Sequence, residues 1–107
     1  MDQVKETFYM DIYGSLLTDH QQKILRLVLM EDYSLAEIAE ELNITRQGVH
    51  DGVQRGLAKL QWYEDHLGLY EKHLEKKDKI LRIIEILNKT EGVSEETLDL
   101  LRKLIDA

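Results

Sequence analysis

The feature that most limits the fold of this chain is a pair of helical patterns separated by a very short turn. The first pattern covers Leu35–Leu42 and follows Ser34, which with Glu37 three residues later has the form of a capping box. Asn43 tolerates the left-handed backbone that ends a helix, and Thr45 can cap the next helix. Two helices joined by so short a turn must cross steeply, so the sequence predicts helix-turn-helix geometry.

The rest of the chain also favours helices, because it contains no Pro and no segment alternates strictly between apolar and polar residues. A first helix is predicted over residues 4–17, with a buried stripe of Val4, Phe8, Ile12 and Leu16. Thr18 and Gln21 form a second capping box before an apolar central helix. A fourth helix from Arg46 has one apolar face, formed by Val49, Val53, Leu57 and Leu60.

A second apolar stripe follows this core, at alternating spacings of three and four residues as far as Leu74; it resumes at Leu81, with polar Lys77 at the intervening position. It consists of Leu60, Tyr63, Leu67, Tyr70, Leu74, Leu81 and Ile84. Gly68 either divides this stretch into two helices or is tolerated within one, and Ser94 caps a last helix after a turn at residues 90–93. We therefore expect a core over residues 1–60 and a helical extension over residues 61–107, packed on the core or on a second subunit. A stripe of this length in so small a chain predicts a symmetric homodimer.

The net charge of −7 by itself argues against a polyanionic partner. The charged residues are, however, unevenly distributed along the chain. Residues 1–45 carry nine acidic and three basic residues, residues 46–90 carry seven acidic and nine basic residues, and residues 91–107 carry five acidic and two basic residues. Any contact with nucleic acid is therefore expected in the middle of the chain.

Residues 17–25, 33–49 and 55–60 together resemble region four of bacterial sigma factors. Ala39 is small where the two helices nearly touch, and the small core between them is closed by Ile38, Leu42, Ile44 and Val49. The predicted fold class is all-α, a helix-turn-helix bundle resembling sigma factor region four with a C-terminal helical extension.

When residues 13–18, 32–39 and 46–51 and the Leu- and Tyr-rich tail are included, the chain resembles the YlxM family of Gram-positive bacteria over nearly its whole length. The resemblance implies a regulatory or accessory role in the signal recognition particle pathway, to which the family is assigned beside Ffh and FtsY, mainly from gene neighbourhood. It also implies a DNA-binding regulator. The implied partners are nucleic acid, either DNA or the particle's RNA, and Ffh.

In helix-turn-helix proteins the second helix lies in the major groove and presents its early residues to the bases. By this analogy the candidate nucleic-acid-binding residues are Thr45, Arg46, Gln47, His50, Gln54, Arg55 and Lys59. Asp51 departs from the pattern, because phosphates repel a carboxylate on the outward face unless it accepts a cytosine amine. The same face could instead be a solvated surface that contacts a protein.

A second basic patch lies in residues 72–82, which hold five bases and two acids; the bases are Lys72, Lys76, Lys77, Lys79 and Arg82. If the ligand is an RNA–protein particle, this patch is expected to dominate binding, whereas DNA in the major groove would depend on Arg46, Arg55 and Lys59. Alternatively, the segment is a solvent-facing helix with ion pairs Glu75–Lys79 and Asp78–Arg82.

Three glycines, Gly48, Gly52 and Gly56, recur every four residues beside the apolar face of the fourth helix. Because they weaken the helix by about 2–3 kcal/mol relative to Ala, we expect close packing of another helix against them. Trp62, Tyr63 and Tyr70 are interpreted as core or interface residues, with stacking on RNA bases as the alternative.

The remaining patterns argue against catalysis and cofactors. The chain has no Cys, no glycine-rich phosphate loop, and no pair of its four His residues at metal-binding spacing on one helix. Ser34 and Ser94 are explained as helix caps, so we expect neither an enzyme nor a metal site. The first residues lack the features of a signal peptide, and no apolar run is long enough for a bilayer, so the expected location is the cytoplasm.

Overall fold

Side-chain caps fix where the helices begin. In the computed structural model, which describes residues 3–106, the Thr18 hydroxyl accepts from the Gln21 backbone N–H at 3.2 Å, and the Gln21 side chain accepts in return from the Thr18 N–H. Ser34 and Glu37 exchange the same two hydrogen bonds, at 3.1 and 3.2 Å. Both capping boxes predicted from sequence are therefore confirmed, as are the predicted single caps, Thr45 and Ser94.

The structure divides the chain into two compact units, residues 1–68 and residues 69–107. The first unit holds α1 (Gln3–Tyr13), a short 3-10 turn (Gly14–Leu16), α2 (Asp19–Leu29), α3 (Leu35–Leu42) and α4 (Arg46–Leu67). The second unit holds α5 (Leu69–Asn88) and α6 (Glu95–Ile105). Because residues 3–106 form helices and no β-strand, the predicted all-α fold is confirmed.

The core of the first unit is built around α4, which packs against α1, α2 and α3. Its inner face buries Val49, Val53 and Leu60 as the apolar spacing predicts, while Leu57 is only half-buried. Side chains of α1, the segment after α1, α2 and α3 are also buried in this core. They include Tyr9, Met10, Tyr13, Leu17, Ile24, Leu25, Ile38 and Ala39.

The glycines of α4 allow α2 to approach very closely. A Cβ atom built on Gly52 would lie 2.6 Å from Cδ1 of Ile24, and one built on Gly56 would lie 2.8 Å from Cδ1 of Leu25. Both partner side chains are fully buried, so neighbouring atoms restrict their movement away from such a Cβ. The expectation that helix packing compensates for these glycines is confirmed at Gly52 and Gly56.

The predicted buried face of α1 is wrong. Val4 is 77% exposed and Leu16 is 52% exposed, whereas the helix buries Tyr9, Met10 and Tyr13. A spacing of four residues advances by about 40° per step around a helix of 3.6 residues per turn, so a stripe of four such residues spirals away from one face. The helix also ends at Tyr13 rather than at residue 17.

A buried hydrogen bond links this end of α1 to α4. The Tyr13 hydroxyl lies 2.6 Å from Oε1 of Glu64, and Glu64 is the only polar residue among the buried residues of the described chain. The Tyr13 ring also stacks on Tyr63, with 5.9 Å between the ring centres. Tyrosine can bury its ring while its hydroxyl keeps a polar partner, which explains why tyrosines rather than aliphatic residues face the core here.

Gly68 ends α4. Its φ of +60° is left-handed, and its N–H donates to the Glu64 carbonyl at 2.8 Å. Glycine adopts this conformation without the steric cost that a side chain would add. The apolar pattern of residues 60–84 is therefore divided between two helices: Leu60 is buried in the first unit and Ile84 in the second. The first unit accordingly ends at Gly68 rather than after residue 60.

The second unit is a helical hairpin with a small core. Ile80 and Ile84 of α5 pack with Leu98 of α6, and partly buried side chains surround them: Leu87, Val93, Leu101 and Ile105. The Ser94 hydroxyl accepts from the Thr97 N–H at 3.2 Å and starts α6 after the predicted turn.

We predict that Gly56→Ala destabilises the first unit by about 1–3 kcal/mol, because the new methyl group would overlap the buried side chain of Leu25. The sign is diagnostic, since alanine replacing glycine in an open helix position stabilises it by about 1 kcal/mol. The measurement is chemical denaturation followed by the fluorescence of Trp62. Gln54→Ala, at an exposed position of α4, is the control and should change the free energy of unfolding little. Stabilisation by Gly56→Ala would contradict the close α2–α4 contact.

Candidate nucleic-acid interface

The turn between α3 and α4 has the geometry that the sequence predicts. Asn43 adopts a left-handed backbone with φ +54° and ψ +46°, and its N–H is bonded to carbonyl oxygens of the last turn of α3. The Ile44 N–H donates to the Ala39 carbonyl at 3.0 Å, and the Thr45 hydroxyl accepts from the Gly48 N–H at 2.9 Å. These bonds satisfy free backbone groups at both helix ends and hold α4 in a fixed direction relative to α3.

Burial of one face of α4 decides which of its residues meet solvent. Val49 is fully buried, as is Ile38 of α3, so the opposite side of the helix faces outward. All the candidate residues are exposed: Thr45, Arg46, Gln47, His50, Gln54, Arg55 and Lys59. The structure thus leaves all of them accessible to a ligand, and their contact with nucleic acid stays a prediction.

The cations of this surface lie along its edges, with an acid between them. At about 100° of rotation per residue, Arg46 and His50 lie on one side of Asp51, and Arg55 and Lys59 lie on the other. The fixed positive charges therefore do not form one continuous stripe. They flank a carboxylate.

Asp51 also interacts with two neighbouring side chains. The Gln47 amide donates to Oδ1 of Asp51 at 3.0 Å, and Nδ1 of His50 lies 3.7 Å from the same oxygen. A glutamine that reads adenine needs its amide free for two hydrogen bonds to the base. Gln47 must therefore give up its bond to Asp51 before it can read a base.

Beyond the candidate residues, α4 carries an aromatic cluster. Lys59 Nζ lies 4.3 Å from the ring centre of Trp62, and the His66 ring centre lies 4.1 Å from that of Trp62. Trp62 is 48% exposed, so its interpretation as a core residue is wrong, whereas Tyr63 is half-buried. Sequence reasoning did not group Lys59, Trp62 and His66, although their spacing of three and four residues places them on one side of a helix.

The second basic patch does not form a single face of α5. Lys72 and Lys79 are exposed and lie two helical turns apart on one side, whereas Lys77 lies on nearly the opposite side. Lys76 is half-buried. Arg82 pairs with Asp78 at 3.2 Å, as the alternative of a solvent-facing helix predicts.

Residues 3–106 contain neither a metal-binding cluster nor a membrane-spanning helix. No three acidic, histidine or cysteine side chains of this part of the chain converge in a way that could hold a metal ion. None of its helices combines the length and the apolar character needed to cross a membrane.

Comparison with known protein families assigns the chain to a family. Residues 2–101 match the model of the UPF0122 family, described as "Putative helix-turn-helix protein, YlxM / p13 like". The chain belongs to the UPF0122 family. The match confirms the resemblance to the YlxM family inferred from residues 13–18, 32–39 and 46–51, and it agrees with the helix-turn-helix seen in α3 and α4.

Relatives from several bacteria support the assignment. A UPF0122 protein of Acetivibrio thermocellus is 51% identical over 86 residues, which cover 79% of this chain and 74% of the relative. A UPF0122 protein of Halalkalibacterium halodurans is 39% identical over 101 residues, which cover 94% of this chain and 92% of the relative. The family match itself spans the first unit and most of the second.

The position of Asp51 gives a prediction for this surface. We expect Asp51→Asn to tighten binding to nucleic acid severalfold, because it removes a negative charge between the basic edges and keeps the shape of the side chain. Binding would be measured by fluorescence anisotropy with a labelled oligonucleotide. The control is Glu91→Gln, the same change in charge in the exposed turn between α5 and α6. Equal effects of the two variants would show that only net charge matters.

Proposed function

We propose that this protein is a non-catalytic accessory or regulatory factor of the signal recognition particle pathway in the cytoplasm, and that it binds the RNA of the particle, with Ffh as a protein partner. The observation that carries the proposal is the outward face of α4, whose centre is Asp51 bonded to Gln47. A carboxylate at this position hinders the reading of base edges in the major groove. Cations at the edges can still contact phosphates, and structured RNA is recognised mainly by backbone and shape.

The exposed lysines of α5 support the same proposal. Lys72 and Lys79 project from one side of α5, which is not part of the helix-turn-helix and which the analogy with groove reading does not use. The resemblance to the YlxM family, with its implied place beside Ffh and FtsY, agrees with this interpretation.

A transcription regulator that reads a specific DNA site is the second candidate. It is favoured by the capped turn at Asn43 and by the exposure of Arg46, Gln47 and His50 in the first turns of α4, where helix-turn-helix proteins contact bases. In this case Arg46→Ala would relax sequence preference by about 1–3 kcal/mol.

Two charge-reversed variants separate these candidates. We expect Lys72→Glu/Lys79→Glu to weaken binding to signal recognition particle RNA more than Arg55→Glu/Lys59→Glu does, and to lower the salt slope by about one for each phosphate that is no longer bound. Lys72 and Lys79 are chosen because both are exposed, whereas reversal of half-buried Lys76 could disturb folding. Affinities would be measured over a salt series for the RNA, for purified Ffh and for duplex DNA. Weaker binding only in the α4 variant, with tight binding to one DNA sequence, would favour the transcription regulator.

We also propose that the protein is a homodimer formed through its C-terminal helices. The hairpin of α5 and α6 leaves several large apolar side chains exposed: Leu74, Leu81, Ile83, Ile86, Leu100 and Leu104. Exposed apolar surface of this kind is typical of an interface between subunits. Cyclic dimers use the same surface on both subunits, so exposed apolar side chains of one hairpin would contact those of the other.

A dimer in equilibrium with its monomer has an apparent mass that rises with protein concentration. Sedimentation equilibrium at tens of micromolar should give twice the mass of the chain, and Leu100→Lys/Leu104→Lys should shift the protein to monomer, because the change places two charges in an apolar interface. Arg102→Ala, in the same helix, is the control for effects on the stability of α6. A monomer at every concentration would reject the dimer.

A further inference from the structure

Three side chains of α4 form a short stack at the edge of the helix surface, here called the indole stack: Lys59, Trp62 and His66. The Lys59 ammonium lies 4.3 Å from the indole centre, and the imidazole centre lies 4.1 Å from it with a tilt of 34° between the rings. With Trp62 about half exposed, a large aromatic surface is presented to solvent where a polar residue would cost less.

Contacts with the backbone of α4 and with neighbouring rings hold the indole stack in place. Nδ1 of His66 lies 2.7 Å from the Trp62 carbonyl oxygen, and since a carbonyl can only accept, Nδ1 carries the hydrogen and Nε2 is left for other contacts. The Trp62 ring also meets Tyr63 edge to face at 5.3 Å, and Tyr63 stacks on buried Tyr13. The indole is therefore supported by rings that lead into the core, which reduces the conformational entropy lost when a ligand binds.

The charges around the indole stack suit a phosphate. Arg55 lies one helical turn before Lys59 on the same edge, so two fixed cations precede the indole. Two acids of the exposed face, Asp51 one helical turn before Arg55 and Asp65 three residues after Trp62, accept hydrogen bonds from Gln47 at 3.0 Å and Gln61 at 2.8 Å. Arg55 and Lys59 thus place two positive charges before the indole, although the chain as a whole is acidic.

Distance along the helix separates the indole stack from any duplex held at the start of α4. Trp62 lies sixteen residues after Arg46, which corresponds to about 24 Å at 1.5 Å per residue. For a helix that enters the major groove by its first turns, this distance exceeds the groove's depth of about 8.5 Å, so Trp62 would lie outside the groove that Arg46 contacts. The indole stack must meet a different part of the ligand.

We propose that Trp62 stacks on an unpaired base of the nucleic-acid ligand, while Arg55 and Lys59 bind the phosphates that flank it. This inference rests on the proposed binding of nucleic acid and specifies that the ligand carries single-stranded nucleotides beside a duplex. The base takes the place of the Lys59 ammonium over the indole, and the flexible lysine moves to the phosphate, where its charge is again compensated. His66 stays behind the indole and keeps its orientation.

The test uses two RNA hairpins with the same stem, one blunt and one with a short single-stranded adenosine tail. The tail should strengthen binding roughly 5- to 140-fold, the range expected for stacking of one base on an aromatic side chain. It should also quench the emission of Trp62, the only tryptophan of the chain. Trp62→Leu should make the two hairpins bind equally, and Trp62→Phe should retain part of the gain. Tyr33→Leu, at an exposed tyrosine of the α2–α3 connection, is the matched control and should keep the full gain.

Each other outcome overturns a defined part of the proposal. If the blunt hairpin binds and the tail adds neither affinity nor quenching, the stacking site is wrong and the proposed binding of nucleic acid stands. An equal reduction in affinity for both hairpins in Trp62→Leu would assign Trp62 a structural role only. If neither hairpin binds the unaltered protein, the proposed function fails as well. Tails of DNA should give a similar gain, since stacking needs no 2′-hydroxyl, and a gain with RNA alone would reject stacking as the cause.

Discussion

The close contact between α2 and α4 is the constraint on which the first unit depends. Gly52 and Gly56 lie so near to Ile24 and Leu25 that a Cβ atom at either position would overlap the neighbouring side chain. Alanine would make a better isolated helix, so local helix stability is given up for a tertiary contact. This contact fixes which face of α4 is buried. Through that face it also fixes every residue that α4 can present to a ligand.

A single helix thus serves as both scaffold and surface. Its inner face packs against three other helices, and the buried hydrogen bond between Tyr13 and Glu64 anchors its last turns to α1. Because α4 runs unbroken over 22 residues, it carries side chains well beyond the part that follows the turn. The early residues suit contact with a duplex, and the cluster at Trp62, the proposed stacking site, lies at a fixed distance from them.

Electrostatics limits what this surface can do. The chain is acidic overall, and the acid Asp51 lies within the outward face of α4, bonded to Gln47. On the outward face of α4, positive charge is therefore restricted to the edges. Such an arrangement favours contacts with phosphates over the reading of base edges, because cations act on phosphates without exact alignment while base reading needs free, aligned donors and acceptors.

The sequence by itself determined where helices begin and how the turn after α3 is made. The caps at Thr18, Ser34 and Thr45 and the left-handed Asn43 depend on bonds within a few residues, which can be recognised from local pattern. Only the tertiary structure decided which faces are buried, as the wrong stripe in α1 and the exposed indole of Trp62 demonstrate. Burial depends on partners that are distant in the chain, such as Tyr13 and Glu64, fifty-one residues apart, and spacing within one helix carries no information about them.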